Sequence, residues 1–144
     1  MVAELDAMGG HIFRTLNDLD LMDHTYVIFT SDHGEMNMEH DQWLKNAPYE
    51  ASVRVPLIVA GPGIREELSE DDLVSLIDFY PTLMDMAGLD RPGGLTGRSL
   101  MPLLGGQKRR GQQRVLCQYH SNFSNKGILL SRRSINSEYL LSII

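Results

Sequence analysis

The chain has 144 residues, of which 42% are hydrophobic and 22% charged, and its formal net charge is −6 at pH 7. This balance is typical of a soluble globular domain, and the excess of acid argues against nucleic acid or an anionic membrane surface as a partner. The longest apolar runs are far shorter than the roughly 20 residues that a membrane span needs. Cys117 is the only cysteine, so no disulfide forms within the chain and its cysteine content indicates no redox compartment.

The first predicted element is a helix near the start of the chain. Its apolar residues recur at steps of three and four, which places them on one helical face. They are Val2, Leu5, Met8, Ile12, Leu16 and Leu19. The pair Gly9-Gly10 destabilises a helix by about 1 kcal/mol per glycine, so this helix needs tertiary contacts for its stability.

Short apolar runs then predict strands. Residues 26–29 are apolar and rich in strand-forming side chains, which predicts a fully buried strand. Residues 55–60 predict a second buried strand, and the breaker sequence at residues 61–63 ends it. Residues 73–76 predict a short third strand.

A second helix is predicted after these strands. Asp78 is suited to cap its start, Pro81 is tolerated in its first turn, and Gly88 is suited to end it. Residues 95–104 are rich in turn-forming residues and predict one helical turn.

The last third of the chain predicts strands at residues 114–119, 128–131 and 139–144. Before them, the order helix, strand, loop, strand, helix is typical of an α/β sheet covered by helices. We therefore predict an α/β domain over residues 1–112 and the start of a small β segment over residues 113–144.

Asp32 and His33 stand directly after the first predicted strand, and Gly34 permits a sharp turn there. In α/β sheets the reactive loops lie at the carboxyl ends of strands. A carboxylate and an imidazole at such a rigid position form half of a site for a divalent cation. The alternative is a loop aspartate that caps a turn beside a solvated histidine.

The residues around this pair extend the pattern. The sequence reads Asp32-His33-Gly34-Glu35, then Glu39-His40, Trp43, Lys45, Tyr49-Glu50, Val55-Pro56-Leu57-Ile58-Val59 and Gly61-Pro62-Gly63, and later Val74 to Leu83, Ala87-Gly88-Leu89 and Leu95 to Leu100. This ordered series resembles the sulfatase family over roughly residues 1 to 130. The resemblance implies an alkaline-phosphatase-like fold with a helix-covered mixed sheet, whose N-terminal portion is missing here and which ends in small antiparallel strands.

The resemblance also implies roles for individual residues. Asp32 and His33 match a pair at the family's calcium site, where hydrogen bonding to the sulfate is an alternative role for His33. Calcium prefers oxygen ligands, so Asp32 is the stronger ligand of the two. Lys45 matches a catalytic lysine that contacts the sulfate and stabilises charge on the leaving oxygen.

Two further histidines carry open alternatives. One role for His40 is to contact the metal ligands without binding the metal itself, and another is to stabilise the loop. We favour these structural roles over direct metal binding. His120 lies near the family's substrate pocket and is a candidate contact to a sugar acid. A buried structural histidine is the equal alternative for His120.

The chain also departs from the family's pattern. The family's nucleophile is a formylglycine made from Cys or Ser in a Cys/Ser-x-Pro/Ala-x-Arg motif, and neither Cys117 nor any serine here lies in such a motif. The family's paired N-terminal aspartates are also missing. In family order both elements precede the first helix, so we expect Met1 to be either an internal methionine of a longer protein or the start of a truncated form or isoform. Residues 131–144 depart from the family as well.

The resemblance therefore predicts a formylglycine-dependent sulfatase that uses calcium and acts on a sulfated sugar or aryl sulfate. One alternative is a metal-dependent phosphodiesterase or phosphomutase of the same superfamily, and another is a catalytically inactive truncated fragment. Secretion or a lysosomal location follows from the resemblance, and the sequon at Asn122 adds slight support. The sequence indicates no oligomeric state.

Overall fold

The computed structural model describes residues 1–45, 47–70, 72–107, 114–121, 124–131 and 141–142. Its α-helices are α1 (Val2–Asp18), α2 (Glu50–Val53), α3 (Phe79–Met86) and α4 (Met101–Leu104). Its strands are β1 (Val27–Thr30), β2 (Leu57–Ala60), β3 (Ser69–Glu70), β4 (Arg114–Ser121), β5 (Ser124–Ser131) and β6 (Leu141–Ser142). Short 3₁₀ helices span Met22–His24, Glu39–Asp41 and Leu76–Asp78. The predicted α/β fold is confirmed.

The larger sheet is mixed, as predicted. Its strand order is β1-β2-β6-β3. Strands β1 and β2 pair antiparallel, with Val27 opposite Ala60, whereas β2 and β6 run parallel. Strand β3 pairs antiparallel with β6. The loop that follows β1 therefore begins where β2 starts, and this corner of the sheet carries the candidate site.

The second sheet is a long antiparallel hairpin of β4 and β5, which pair from Arg114 opposite Ser131 to Ser121 opposite Ser124. These strands confirm the two predicted at residues 114–119 and 128–131. The third predicted strand, at residues 139–144, is present as β6, but β6 pairs with β2 and β3 in the larger sheet. The division of the chain at residues 112 and 113 stays a prediction.

A small apolar core joins β2 to α4. Leu57 and Val59 alternate along β2 and point to one face of the sheet, as side chains in a strand must. They pack in one buried cluster with Leu100, Leu103 and Leu104. Full burial of each such side chain contributes about 1.5–3 kcal/mol, so this cluster fixes the strand that lies next to the site.

One sequence prediction of burial was wrong, and one predicted helix is exposed. The β1 strand is not fully buried, because it lies at the edge of the described sheet and Phe29 is 44% exposed. Helix α1 forms where predicted, but none of its residues is buried and Ile12 is 60% exposed. In the part of the chain that the structure describes, no element covers the apolar face of this helix.

The prediction of a strand at residues 73–76 was also wrong. The 3₁₀ helix Leu76–Asp78 begins there, because Ser75 and Asp78 form a capping box in which each side chain accepts the other's backbone N–H. Asp78 precedes α3 in position but makes no side-chain bond that caps α3. Gly88 ends α3 as predicted, with φ of +66° and the N–H of Leu89 donating to the Met84 carbonyl.

Candidate active site

The turn after β1 is tightly packed against the backbone of α2. The Gly34 N–H donates to the Ser52 carbonyl at 2.8 Å. A side chain at Gly34 would collide with the carbonyl group of Ala51, so only glycine allows this close approach. The Ser31 hydroxyl donates to the His33 carbonyl at 2.8 Å, which closes the turn from the other side. The backbone that carries Asp32 and His33 is therefore held at a fixed position beyond the strand.

Within this turn, the side chains of Asp32 and His33 converge. One carboxylate oxygen of Asp32, Oδ1, accepts the His33 N–H at 3.0 Å, and the other, Oδ2, lies 3.4 Å from His33 Nε2. His33 Nδ1 lies 2.8 Å from the Gly34 carbonyl oxygen. Because a carbonyl only accepts, Nδ1 carries a hydrogen, and this fixes the tautomer of the neutral ring. A neutral His33 then presents the Nε2 lone pair beside Oδ2.

This pair has the chemistry of part of a cation site. Asp32 is 81% exposed, so its outer oxygen is accessible. A histidine that ligates a metal through Nε2 usually donates its Nδ1 hydrogen to a carbonyl or carboxylate, as His33 does with Gly34. Calcium takes about 6–8 ligands, nearly all of them oxygens, so Asp32 supplies only part of its coordination and the His33 nitrogen suits it less well. In the part of the chain that the structure describes, no three His, Cys, Asp or Glu residues are grouped to hold a metal ion.

Neighbouring groups shift the pKa of the Asp32 carboxyl. Loss of water around the carboxyl acts to raise the Asp32 pKa. The positive charge that His33 carries when protonated, hydrogen bonds from the backbone N–H groups of His33 and Asp32, and the charge of Lys45 together outweigh it. The net result is that the pKa of Asp32 lies below its usual value. The Asp32 carboxylate therefore stays ionised to a lower pH than an isolated aspartate does. It remains able to bind a cation over that range.

Lys45 is brought to this turn by a loop that folds back on itself. The Met36 N–H donates to the Leu44 carbonyl at 2.8 Å, and Met36 is fully buried beneath the loop. The Ser52 hydroxyl then donates to the Lys45 carbonyl at 3.1 Å. The charge of Lys45 makes a small contribution to the lowered pKa of Asp32, and Ser52 ties the Lys45 backbone to the turn.

The same loop accounts for His40. The His40 ring stacks on Tyr49, with ring centroids 4.0 Å apart and an angle of 21° between the ring planes. His40 has φ of +54°, a conformation that costs free energy for a residue other than glycine. A ring held against Tyr49 fits the loop-stabilising role, and the role of His40 stays a prediction.

His120 lies on β4, where its backbone pairs with Asn125 of β5. The position of its side chain lies outside the described residues, so its predicted contact with substrate stays a prediction. Sequence reasoning gave no role to Glu35 or Ser52, although both contact the backbone on either side of Lys45. Glu35 directly follows the Asp32-His33-Gly34 turn, and this adjacency was the one available signal for it.

The chain is similar to known proteins over most of its length. The sequence model described as Sulfatase matches residues 1–89. Arylsulfatase K of Mus musculus is 55% identical over 104 residues, which are 72% of this chain and 19% of that protein. Arylsulfatase K of Homo sapiens is 52% identical over 103 residues, again 72% of this chain and 19% of that protein. The chain thus spans about a fifth of the length of these curated relatives.

Two solved structures share the fold. The phosphonate monoester hydrolase SpPMH from Silicibacter pomeroyi has a TM-score of 0.77 and 31% identity, covering 81% of this chain and 23% of that one. A protein solved in complex with its substrate, D-glucosamine-2-N,6-O-disulfate, has a TM-score of 0.76 and 25% identity, covering 90% of this chain and 28% of that one. No helix in the described part of this chain is long and apolar enough to cross a membrane.

Proposed function

As this chain belongs to the sulfatase family, we propose that the protein hydrolyses sulfate esters and that Asp32, His33 and Lys45 form the part of the active site that this chain supplies. The observation that carries the proposal is the convergence of Asp32 Oδ2 and His33 Nε2, 3.4 Å apart, with the charge of Lys45 acting on the same carboxylate. An anionic carboxylate beside a fixed cationic side chain suits a site that binds a metal ion and an anion together.

Each residue has a distinct task in this proposal. Asp32 would supply a carboxylate oxygen to calcium, and His33 would either add Nε2 to the same ion or, when protonated, donate a hydrogen bond from Nε2 to the sulfate. The Lys45 ammonium binds a sulfate oxygen and stabilises negative charge on the leaving oxygen as the S–O bond breaks. His120 is proposed as a contact to the alcohol part of the substrate.

Two groups complete the chemistry. When bound, calcium would supply positive charge next to the sulfate, and a formylglycine hydrate would supply an oxygen nucleophile. Residues 1–144 contain no formylglycine motif, so the proposal assigns to this chain the binding of cation and sulfate. Asp32 and His33 would hold calcium because their donor atoms are accessible, oriented by backbone contacts and, for Asp32, ionised over a wide pH range.

The proposed substrate is a sulfated sugar or an aryl sulfate, and the proposed setting is a secreted or lysosomal one. Two similar proteins support a sulfated substrate: arylsulfatase K of Mus musculus, and a protein solved in complex with a disulfated glucosamine.

A second candidate function is hydrolysis of phosphonate or phosphate esters. It is favoured by the similarity to phosphonate monoester hydrolase SpPMH, whose TM-score is 0.77. The chemistry of this candidate also needs a metal ion and a positioned cation beside the transferred group. The remaining alternative, catalytic inactivity, applies to a protein that consists of residues 1–144 alone.

The test compares p-nitrophenyl sulfate with p-nitrophenyl phenylphosphonate. We would assay the protein that carries this chain, and also mouse arylsulfatase K with its matching segment replaced by that of this chain. We expect calcium-dependent hydrolysis of the sulfate and at least about 100-fold lower turnover for Asp32→Asn, the loss typical of removing one electrostatic stabiliser. Asp41→Asn, the same change in the same loop, is the control. Faster hydrolysis of the phosphonate than of the sulfate would establish the second candidate instead.

A further inference from the structure

The backbone on both sides of Lys45 is held by side chains that belong to the turn and to α2. The Leu44 N–H donates to a Glu35 carboxylate oxygen at 2.5 Å. The Ser52 hydroxyl donates to the Lys45 carbonyl at 3.1 Å. The peptide bond that joins Leu44 to Lys45 therefore lies between two side-chain anchors, one preceding it and one following it.

Ser52 connects Lys45 directly to the turn that carries the cation ligands. Its side chain is buried, with 5% of the residue exposed, and its hydroxyl contacts the Lys45 backbone. Its own carbonyl accepts the Gly34 N–H at 2.8 Å. One residue thus ties the backbone of Lys45 to the backbone next to His33, so the separation between the two parts of the site depends on Ser52.

Glu35 stabilises a loop conformation that is unfavourable without support. Its carboxylate oxygen accepts the N–H of Leu44 and, at 3.4 Å, the N–H of Asn37. Leu44 and Asn37 have φ of +64° and +45°, which lie in the left-handed region that residues other than glycine rarely adopt. A hydrogen bond to an ionised carboxylate is about twice as strong as one between neutral groups. The Glu35 carboxylate therefore compensates for the backbone strain where the loop leads into Lys45.

We propose that Glu35 and Ser52 are positioning residues that set the place of Lys45 relative to Asp32 and His33, so that the ammonium and the bound cation engage the same sulfate. This proposal rests on the role of Lys45 in the proposed function. Lysine is a flexible side chain with many rotamers, so the place of its backbone decides whether its ammonium reaches the anion. A misplacement of about 1 Å in a catalytic group lowers turnover by about 100-fold.

The test is a double-mutant cycle on the protein that carries this chain. Glu35→Ala removes one anchor, Ser52→Ala removes the other, and each is made with and without Lys45→Ala. The matched control is Glu39→Ala, which removes the same side chain from the same exposed loop. Turnover of p-nitrophenyl sulfate and the binding of inorganic sulfate, measured by calorimetry, are the two functional readouts. Hydrogen exchange of the Leu44 N–H reports directly on the Glu35 anchor.

We expect Glu35→Ala and Ser52→Ala each to lower kcat/KM by about 10- to 100-fold and to weaken sulfate binding, while Glu39→Ala has neither effect. In the Lys45→Ala background both losses disappear, because the group that the anchors position is gone. Glu35→Gln recovers part of the activity, since its amide oxygen still accepts the Leu44 N–H. The Leu44 N–H exchanges faster in Glu35→Ala than in the wild type or in Glu35→Gln.

Two results separate this proposal from the proposed function. If Lys45→Ala binds sulfate and turns over like the wild type, the role of Lys45 itself is wrong, and this proposal is overturned with it. If Lys45→Ala is impaired but Glu35→Ala and Ser52→Ala are harmless, or are equally harmful in the Lys45→Ala background, only the positioning role is overturned. Should Glu35→Ala fail to fold, the Ser52→Ala cycle decides the question alone.

Discussion

The Asp78 carboxylate accepts the backbone N–H of Arg98 at 2.7 Å, across 20 residues of chain. Its other oxygen accepts the Ser75 N–H at 3.2 Å, and Asp78 is only 1% exposed. Next to it, the Thr82 hydroxyl accepts the N–H of Leu100 at 2.9 Å. These bonds attach the segment before α4 to the start of α3, and so they fix Leu100 in the core beneath β2.

Removing this carboxylate should destabilise the protein without touching the site. Asp78→Ala leaves the partly buried N–H groups of Ser75 and Arg98 without their acceptor, and a fully buried unsatisfied group costs about 1–3 kcal/mol, which is the upper bound for each. We expect a clear decrease in the midpoint of chemical unfolding. Asp90→Ala, a change at an exposed residue close by, should change the free energy of unfolding by no more than about 0.5 kcal/mol. Equal midpoints for the two variants would contradict the structural role of Asp78.

The glycine of the turn should be irreplaceable. Gly34→Ala places a methyl group against the carbonyl of Ala51, so the turn must move and Asp32 and His33 move with it. We expect turnover to fall by at least about 100-fold, as for a catalytic group displaced by about 1 Å. Gly93→Ala is the matched control, because a methyl group there meets no atom within 4 Å. Wild-type turnover in Gly34→Ala would show that the turn tolerates displacement.

The lowered pKa of Asp32 predicts a direction for pH dependence. A lowered pKa means that the ionised Asp32 carboxylate stabilises the folded state. This contribution to stability is fully present above the usual aspartate pKa of about 3.9, and it is lost as the pH falls through the lower pKa of Asp32 in the folded protein. Carboxyl-carbon NMR should show Asp32 titrating below that value. Lys45→Ala should raise the midpoint, while Arg91→Ala, which removes the partner of Asp85, should not. A midpoint at or above the usual value would contradict the arrangement.

The histidines should separate by role. His33→Ala removes Nε2 from the pair with Asp32, and we expect lower turnover of p-nitrophenyl sulfate together with weaker or unchanged calcium affinity. His40→Ala loses only the stacking on Tyr49 and should have a much smaller effect on turnover. Calorimetric calcium binding and turnover of both variants give the comparison. A larger loss in His40→Ala than in His33→Ala would reverse these two assignments.

Residues 1–144 by themselves should be inactive and loosely folded. Without a formylglycine motif we expect no aryl sulfate turnover above that of a Lys45→Ala control. Leu5 and Ile12 on α1 are more than half exposed, so the peptide should bind a hydrophobic dye and unfold over a broad temperature range. Replacing Leu5 and Ile12 by lysine should reduce dye binding. A sharp two-state transition of a monomer would contradict this prediction.

The sequence by itself determined the features that depend on local pattern. Helix α1, β2 and the stop of α3 at Gly88 follow from the spacing of apolar residues and from the conformational freedom of glycine. The place of Asp32 and His33 beyond a strand follows from chain order alone. The ordered motifs also predicted the family, which the matching family model over residues 1–89 confirms.

Tertiary structure decided what depends on neighbours distant in sequence. The exposure of Phe29 follows from the edge position of β1, and no local pattern records which strand lies at an edge. The 3₁₀ helix before α3 replaced a predicted strand because the buried Asp78 binds Ser75 and Arg98, and the second of these contacts spans 20 residues. Glu35 and Ser52 likewise gain their significance only when the loop returns to the turn, since hydrogen bonds depend on distances that sequence spacing does not specify.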